Sequence, residues 1–247
     1  MMDINTLTLI WIIIGILLFP VLIKNKVPYG RHTSQKWGIT ISNKIGWILM
    51  ELPALLVCPI YYIFYNSNLY TINTLFILLW VLHYFNRTII YPLRIKTKGK
   101  RMPLIIAALA LFFNVINGLI NGYYLSNTNY VEINYYVLLF GFIIFFTGLI
   151  INIRSDNKLI SLRLKNEENK YVIPNGELFN YISCPNFFGE LVEWLGFAII
   201  TVNLGSLSFF IWTFINLVPR AISHHKWYKD NFKDYPKNRK AIIPKLL

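Results

Sequence analysis

Charge is scarce in this 247-residue chain: Asp, Glu, Lys and Arg make up 14% of it, where a soluble globular domain carries roughly 25%. That deficit excludes disorder, a coiled coil and an ordinary cytosolic enzyme. Cysteine is scarcer still, with only Cys58 and Cys184, too few for a disulfide framework or a zinc cluster, and no redox compartment follows from them. The 13 glycines nowhere adopt GxGxxG or Walker A spacing, so the chain has no Rossmann or P-loop nucleotide signature. HExxH, CxxC and GxSxG are missing too, which removes zinc proteolysis and serine hydrolysis in their usual form. What the chain has instead is apolar mass, 55% hydrophobic and 17% aromatic. That is the composition of an all-α integral membrane protein.

A helix crossing the hydrocarbon layer needs roughly 20 mostly apolar residues. Ile4 to Ile23, Ile45 to Tyr65, Tyr70 to Ile90, Pro103 to Leu125 and Ile133 to Ile153 each meet that need. A further apolar region, Phe187 to Val218, is too long for one crossing and turns polar and small at Thr201, Asn203, Gly205 and Ser206, which predicts a tight hairpin of two helices. The first span has no positive segment before it and no small-residue cleavage site behind it, so it reads as retained and not as a signal peptide. The expectation is seven transmembrane helices in a single domain, 1–247, with a basic segment at 220–247. Gly118 and Gly122 form a GxxxG in the fourth span, a weak signal for close helix packing.

Basic residues test the count independently, because cytoplasmic loops carry the positive excess. Lys24, Lys26, Arg31, Lys36 and Lys44 follow span one, and Arg94, Lys96, Lys98, Lys100 and Arg101 follow span three. Arg154, Lys158, Arg163, Lys165 and Lys170 follow span five, and the tail from Arg220 to Lys245 is basic throughout. The intervening loops, Asn66 to Leu69, Ser126 to Glu132 and the turn near Asn203, contain no Lys or Arg. The alternation places the N-terminus outside and the C-terminus in the cytosol. In so apolar a chain the net charge of +13 belongs to loops facing anionic lipid or a phosphorylated ligand, not nucleic acid.

Ionisable groups inside a span are costly and mark function by default. Span two holds Glu51, one turn after Trp47 and two residues before Pro53. Span three holds His83, Tyr84 and Arg87, with His83 and Arg87 on one face. Asn114, Asn117 and Asn121 line span four, Asn152 and Asp156 close span five, and Asn186, Glu190 and Glu193 open span six. Arg220, His224 and Tyr228 recur every four residues, so a last helix that continues past the membrane carries them as one basic, aromatic stripe. Asparagines of this kind also serve as interhelical glue, and a basic stripe also arises from positive-inside charge alone.

These residues resemble the steroid 5α-reductase (3-oxo-5α-steroid 4-dehydrogenase) family along nearly the whole chain. The match runs from Pro28-Tyr29-Gly30-Arg31-His32-Thr33 through Trp47, Glu51-Leu52-Pro53, Leu82-His83-Tyr84-Phe85 and Asn117-Gly118. It continues through Ile151-Asn152-Ile153, Ser155-Asp156, Asn186-Phe187, Gly189-Glu190, Arg220-Ala221, His224-His225, Tyr235-Pro236-Lys237 and Arg239-Lys240. The resemblance implies a seven-helix membrane enzyme that reduces a conjugated ketone with NADPH, the cofactor entering from the cytosolic side. It puts the catalytic pair on Glu51 and Tyr84. It puts cofactor contacts on Tyr29, Trp47, Asn152, Asp156, Asn186, Glu190, Arg220, His224 and Tyr228, with Arg163 and Lys100 as further positions. Met50 stands where steroid enzymes carry Gln, and Val172 where they carry Arg before Ile-Pro.

Taken together, the chain reads as a monomeric multi-pass protein of a bacterial inner membrane or an endoplasmic reticulum membrane, taking a lipid or steroid substrate from the bilayer, with no metal. Hydride goes to C5 of a 3-oxo-Δ4 steroid or a similar lipid enone, while Tyr84 and Glu51 polarise the carbonyl. A polyprenol or enoyl thioester is the alternative substrate within the reductases. A membrane S-adenosylmethionine-dependent methyltransferase and a non-catalytic lipid-binding protein are the readings from other classes.

Overall fold

The structure is a computed structural model describing residues 3–25, 37–66, 69, 71–97, 99–129, 134–165 and 171–247. The described residues form eight α-helices: α1 (Ile4–Lys24), α2 (Asn43–Tyr65), α3 (Ile72–Phe85), α4 (Tyr91–Arg94), α5 (Leu104–Asn127), α6 (Tyr135–Lys165), α7 (Pro185–Thr201) and α8 (Leu204–Asn231). A π-helical turn, Asn86–Ile90, joins α3 to α4. Among the described residues six helical stretches are long and apolar enough to cross a membrane, namely Ile4–Lys24, Asn43–Tyr65, Ile72–Arg94, Leu104–Asn127, Tyr135–Leu164 and Leu204–Asn231. Helix α7, at 17 residues, is shorter than these. Exposed apolar side chains run along these helices, Leu17 at 70% and Phe64 at 81% among them, and surfaces this rich in apolar groups suit hydrocarbon. These features are those of a multi-pass integral membrane protein.

The chain divides into two compact units. The first comprises Met1–Leu9, Val27–Tyr135 and Thr201–Phe209. In it, strand β1 (Thr40–Ser42) pairs antiparallel with β2 (Arg101–Pro103); β1 runs directly into α2 and β2 into α5. The two helices then run parallel, since Asn114 donates to the Met50 carbonyl at 2.7 Å and the glycines further along α5 meet residues further along α2. A Cβ on Gly118 would come within 2.8 Å of Val57, and one on Gly122 within 2.8 Å of Tyr61. The GxxxG is therefore a close helix contact, as its spacing predicts.

Pro53 and Pro59 lie inside α2 and remove two backbone donors from its ladder. Within hydrocarbon, neighbouring helices must make good such breaks. The prolines leave the Leu49 and Leu55 carbonyls without their helical donors, and the adjacent carbonyls accept from neighbouring helices, Met50 from Asn114 and Ala54 from the Trp80 indole, at 2.7 Å each. At the far end of α2 the Tyr62 hydroxyl bonds Thr71 and Thr74 at 3.1 and 2.8 Å, so α2 and α3 run antiparallel.

The second unit comprises Ile10–Lys26, Tyr136–Ile200 and Phe210–Leu247. Helices α6 and α7 pack antiparallel through facing glycines. A Cβ on Gly148 would lie 2.2 Å from the Glu193 nitrogen, one on Gly189 2.5 Å from the Asn152 nitrogen, and one on Gly196 2.4 Å from the Phe145 nitrogen. Only glycine permits that approach. Leu191 of α7 shares a core with Leu217, Val218 and Ala221 of α8 and with Ala241 and Ile242 of the C-terminal tail, so α7 and α8 fold back on each other across the turn at Val202 and Asn203, as the sequence predicts. Helix α1 lies along α8, where the Trp212 indole donates to the Trp11 carbonyl at 3.1 Å.

Candidate functional site

Two backbone contacts fix the register of α2 against the α3 rod. Trp47 Nε1 donates to the Arg87 carbonyl at 3.0 Å and Trp80 Nε1 to the Ala54 carbonyl at 2.7 Å, seven residues apart on each helix. Glu51 lies between Trp47 and Ala54, and the antiparallel register sets it level with His83 and Tyr84. The first unit thus brings the expected catalytic pair to one depth on neighbouring helices. Tyr84 is 4% exposed and held in an aromatic nest, its ring 4.9 Å from Trp80, 5.0 Å from His83 and 6.4 Å from Phe209 between centroids.

The π-helical turn begins one residue after Phe85, just past Tyr84. Such turns are rare and concentrate at functional sites. This one presents the Arg87 carbonyl to Trp47, and the Arg87 guanidinium lies 4.8 Å from the Trp47 ring and 5.1 Å from the Tyr91 ring. Cation–π contacts of this kind suit a guanidinium that is 7% exposed. Trp47 is thereby locked at both its N–H and its face. Lys100 is exposed beside β2, and its carbonyl accepts from the Asn43 backbone at 3.0 Å. Tyr29 lies outside the described residues.

In the second unit, Asn152 and Asp156 sit one turn apart on α6, 1% and 5% exposed, and both reach the start of α7. Asn152 Nδ2 donates to the Asn186 carbonyl at 3.0 Å, and Asn186 Nδ2 donates to Asp156 Oδ1 at 3.1 Å. The Asn152 side-chain oxygen is buried with no hydrogen-bond partner among the described residues, an orphan acceptor of the kind that a bound ligand satisfies. Phe187, next to Asn186, packs against the His224 ring at 5.9 Å. Arg220, His224 and Tyr228 occupy one helix, because α8 continues to Asn231. Glu190, one turn into α7, is half-buried. Arg163 is exposed on the last turn of α6 and stands away from this network.

One cluster was not legible as a site. Ser183 Oγ lies 2.6 Å from His225 Nδ1, 2.6 Å from the Tyr235 hydroxyl and 3.0 Å from the Lys240 carbonyl. Tyr235 stacks on Tyr228 at 5.3 Å and 8°, and the Arg239 guanidinium lies 5.1 Å from the Tyr235 ring. Burial pushes the Tyr235 phenol above its ordinary pKa, with the Ser183 hydrogen bond and the Arg239 charge pulling the other way, and the group remains a neutral O–H donor. His225 and Tyr235 carry a motif signal in their His-His and Tyr-Pro pairs, but nothing in the sequence marks Ser183.

Comparisons with known proteins give the family. The family model for 3-oxo-5-alpha-steroid 4-dehydrogenase matches residues 100–247. A steroid 5-alpha-reductase of Arabidopsis thaliana is 43% identical over 229 residues, covering 89% of this chain and 87% of the relative. The rat 3-oxo-5-alpha-steroid 4-dehydrogenase 1 is 39% identical over 228 residues, covering 89% and 86%, and the human one is 36% identical over 224 residues, covering 88% and 85%. With identity at this level spread across both units, the chain belongs to the 3-oxo-5-alpha-steroid 4-dehydrogenase family of oxidoreductases acting on CH–CH groups.

Proposed function

We propose that this protein reduces the carbon–carbon double bond of a 3-oxo-Δ4 steroid or a similar lipid enone with NADPH, and that Glu51 and Tyr84 polarise the substrate carbonyl. The observation that carries the reading is the level placement of Glu51 and Tyr84 across the α2–α3 register. Negative charge grows on the carbonyl oxygen as the β carbon accepts hydride, and a donor fixed in advance at that oxygen lowers the barrier. Tyr84 is the donor. Glu51 orients it or donates directly. The aromatic nest denies Tyr84 alternative rotamers, so its hydroxyl is presented without reorganisation.

NADPH, when bound, supplies the hydride. Asn152, Asp156 and Asn186 fit its amide-bearing end, because the orphan Asn152 oxygen accepts from an amide N–H and the network already fixes its direction. Arg220 and His224 suit the phosphates, the planar guanidinium above all, and Glu190 and Tyr228 complete the set within the second unit; Trp47 is assigned to it by resemblance. Tyr29, Lys100 and Arg163 belong to it by resemblance alone. The proposed topology has seven crossings, with the N-terminus outside and the C-terminus in the cytosol. The parallel course of α2 and α5 supports its middle part, since one intervening crossing returns the chain to the side from which α2 starts.

The test is NADPH oxidation by detergent-purified protein given a 3-oxo-Δ4 steroid, with an NADH control and mass spectrometry of the product. The expected product is two hydrogens heavier, with NADPH preferred. Tight NADPH binding without reduction of any enone would assign another acceptor, and no NADPH binding would move the reading to the methyltransferase.

A further inference from the structure

The cluster around Ser183 sits outside every role assigned so far, and its proton accounting is informative. Ser183 has one hydroxyl proton and two acceptor lone pairs. To satisfy all three of its contacts, it donates to the Lys240 carbonyl and accepts from the Tyr235 hydroxyl and from His225, which must then carry its proton on Nδ1. The same stretch is bound to the tail by backbone: Ser183 N–H donates to the Lys240 carbonyl at 2.8 Å, Cys184 N–H to the Ala241 carbonyl at 3.1 Å, and Lys240 N–H to the Tyr181 carbonyl at 2.9 Å. One serine therefore ties together three segments. These are the residues preceding α7, which lead to Asn186; the end of α8, which carries His224 and Tyr228; and the tail. Tyr235, whose hydroxyl meets Ser183, is also the ring on which Tyr228 stacks.

We propose that Ser183, His225 and Tyr235 are positioning residues for NADPH, a hydrogen-bonded hub that holds Tyr228 and His224 in register with Asn186. The hub rests on the cofactor assignment above and contains neither residue of the carbonyl-polarising pair, so it governs cofactor affinity and not the proton donor. Ser183→Ala and Tyr235→Phe each remove one hydroxyl; the second keeps the ring and its stack on Tyr228.

The experiment measures NADPH affinity by fluorescence, and kcat and both KM values with an enone, for the unaltered chain, S183A, Y235F, the double variant and S183T. The expected result is a five- to tenfold rise in Kd and KM for NADPH in each single variant, about the worth of one hydrogen bond. The kcat and the enone KM should stay within twofold. The double variant should lose little more than the worse single one, because both act through one oxygen, and S183T should restore affinity. If S183A fails to fold, Y235F alone decides. NADPH affinity within twofold of the unaltered chain in every folded variant overturns the hub and leaves the reductase standing. Absence of NADPH binding in the unaltered chain overturns the cofactor assignment, and the hub with it.

Discussion

Removing one proton donor at a time separates chemistry from binding. Glu51→Gln and Tyr84→Phe keep the volume of each side chain, so each is expected to lower kcat by about 10²- to 10⁴-fold, the usual worth of a positioned acid. NADPH affinity, measured by fluorescence, should stay near that of the unaltered chain, and equal loss of binding in both would defeat this division of roles. At this scale the sequence located ionisable groups well but did not say whom they meet. The asparagines of α5 make the point. Spacing presents Asn114, Asn117 and Asn121 as one stripe, yet Asn114 crosses to the Met50 carbonyl, whereas Asn117 and Asn121 donate to carbonyls four residues back on their own helix, at 2.9 Å each. Of these three bonds, the one from Asn114 is the interhelical one. Periodicity defines a face and leaves open which neighbour that face meets.

Elements add a second kind of information, in how closely they approach. Gly148, Gly189 and Gly196 let α6 and α7 meet backbone to backbone, and Gly189 sits against the nitrogen of Asn152. Gly189→Val is expected to force the helices apart at the cofactor network. The expected cost is about 1–3 kcal/mol or more in stability, together with a weaker affinity for NADPH; thermal unfolding in detergent and a binding titration read the two effects. A stable variant with unchanged affinity would contradict the placement. The GxxxG of α5 was legible because a four-residue spacing is a familiar signature. The seven-residue spacing of glycines in α6 and α7 was there to be seen but carries no signal until the two helices are known to be neighbours. The length of α6 was also under-read: hydropathy falls where polar residues such as Arg154 and Lys158 begin, while helical hydrogen bonding runs on to Lys165. Strands β1 and β2, three residues each, are too short to announce themselves.

For the whole molecule, the sharpest unknown is parity. Seven crossings put the two termini on opposite sides of the membrane, and six put them together. Single cysteines placed at Asp3 and at Lys237 in a chain freed of Cys58 and Cys184 should react with an impermeant thiol reagent from opposite faces of sealed vesicles. Labelling of both from the same face would make α7 a re-entrant or interfacial helix. The apolar runs were legible here, because run length is a property of the chain itself, and six of them appear as helices long enough to cross; which helices touch was not, because it depends on distant residues meeting. The parallel pairing of α2 with α5 also bears on how the protein is made. Helix α2 is synthesised roughly 60 residues before its partner is complete, which at ~5–20 residues per second amounts to about three to twelve seconds. Throughout that interval a segment with two prolines and a carboxyl group stands in the insertion machinery without the Asn114 bond to Met50 or the close packing of Gly118 and Gly122. The nascent protein is therefore most vulnerable to quality control before α5 arrives, and substitutions at Asn114 or Gly118 should register first as lost yield in the membrane, ahead of any change in the enzyme that survives.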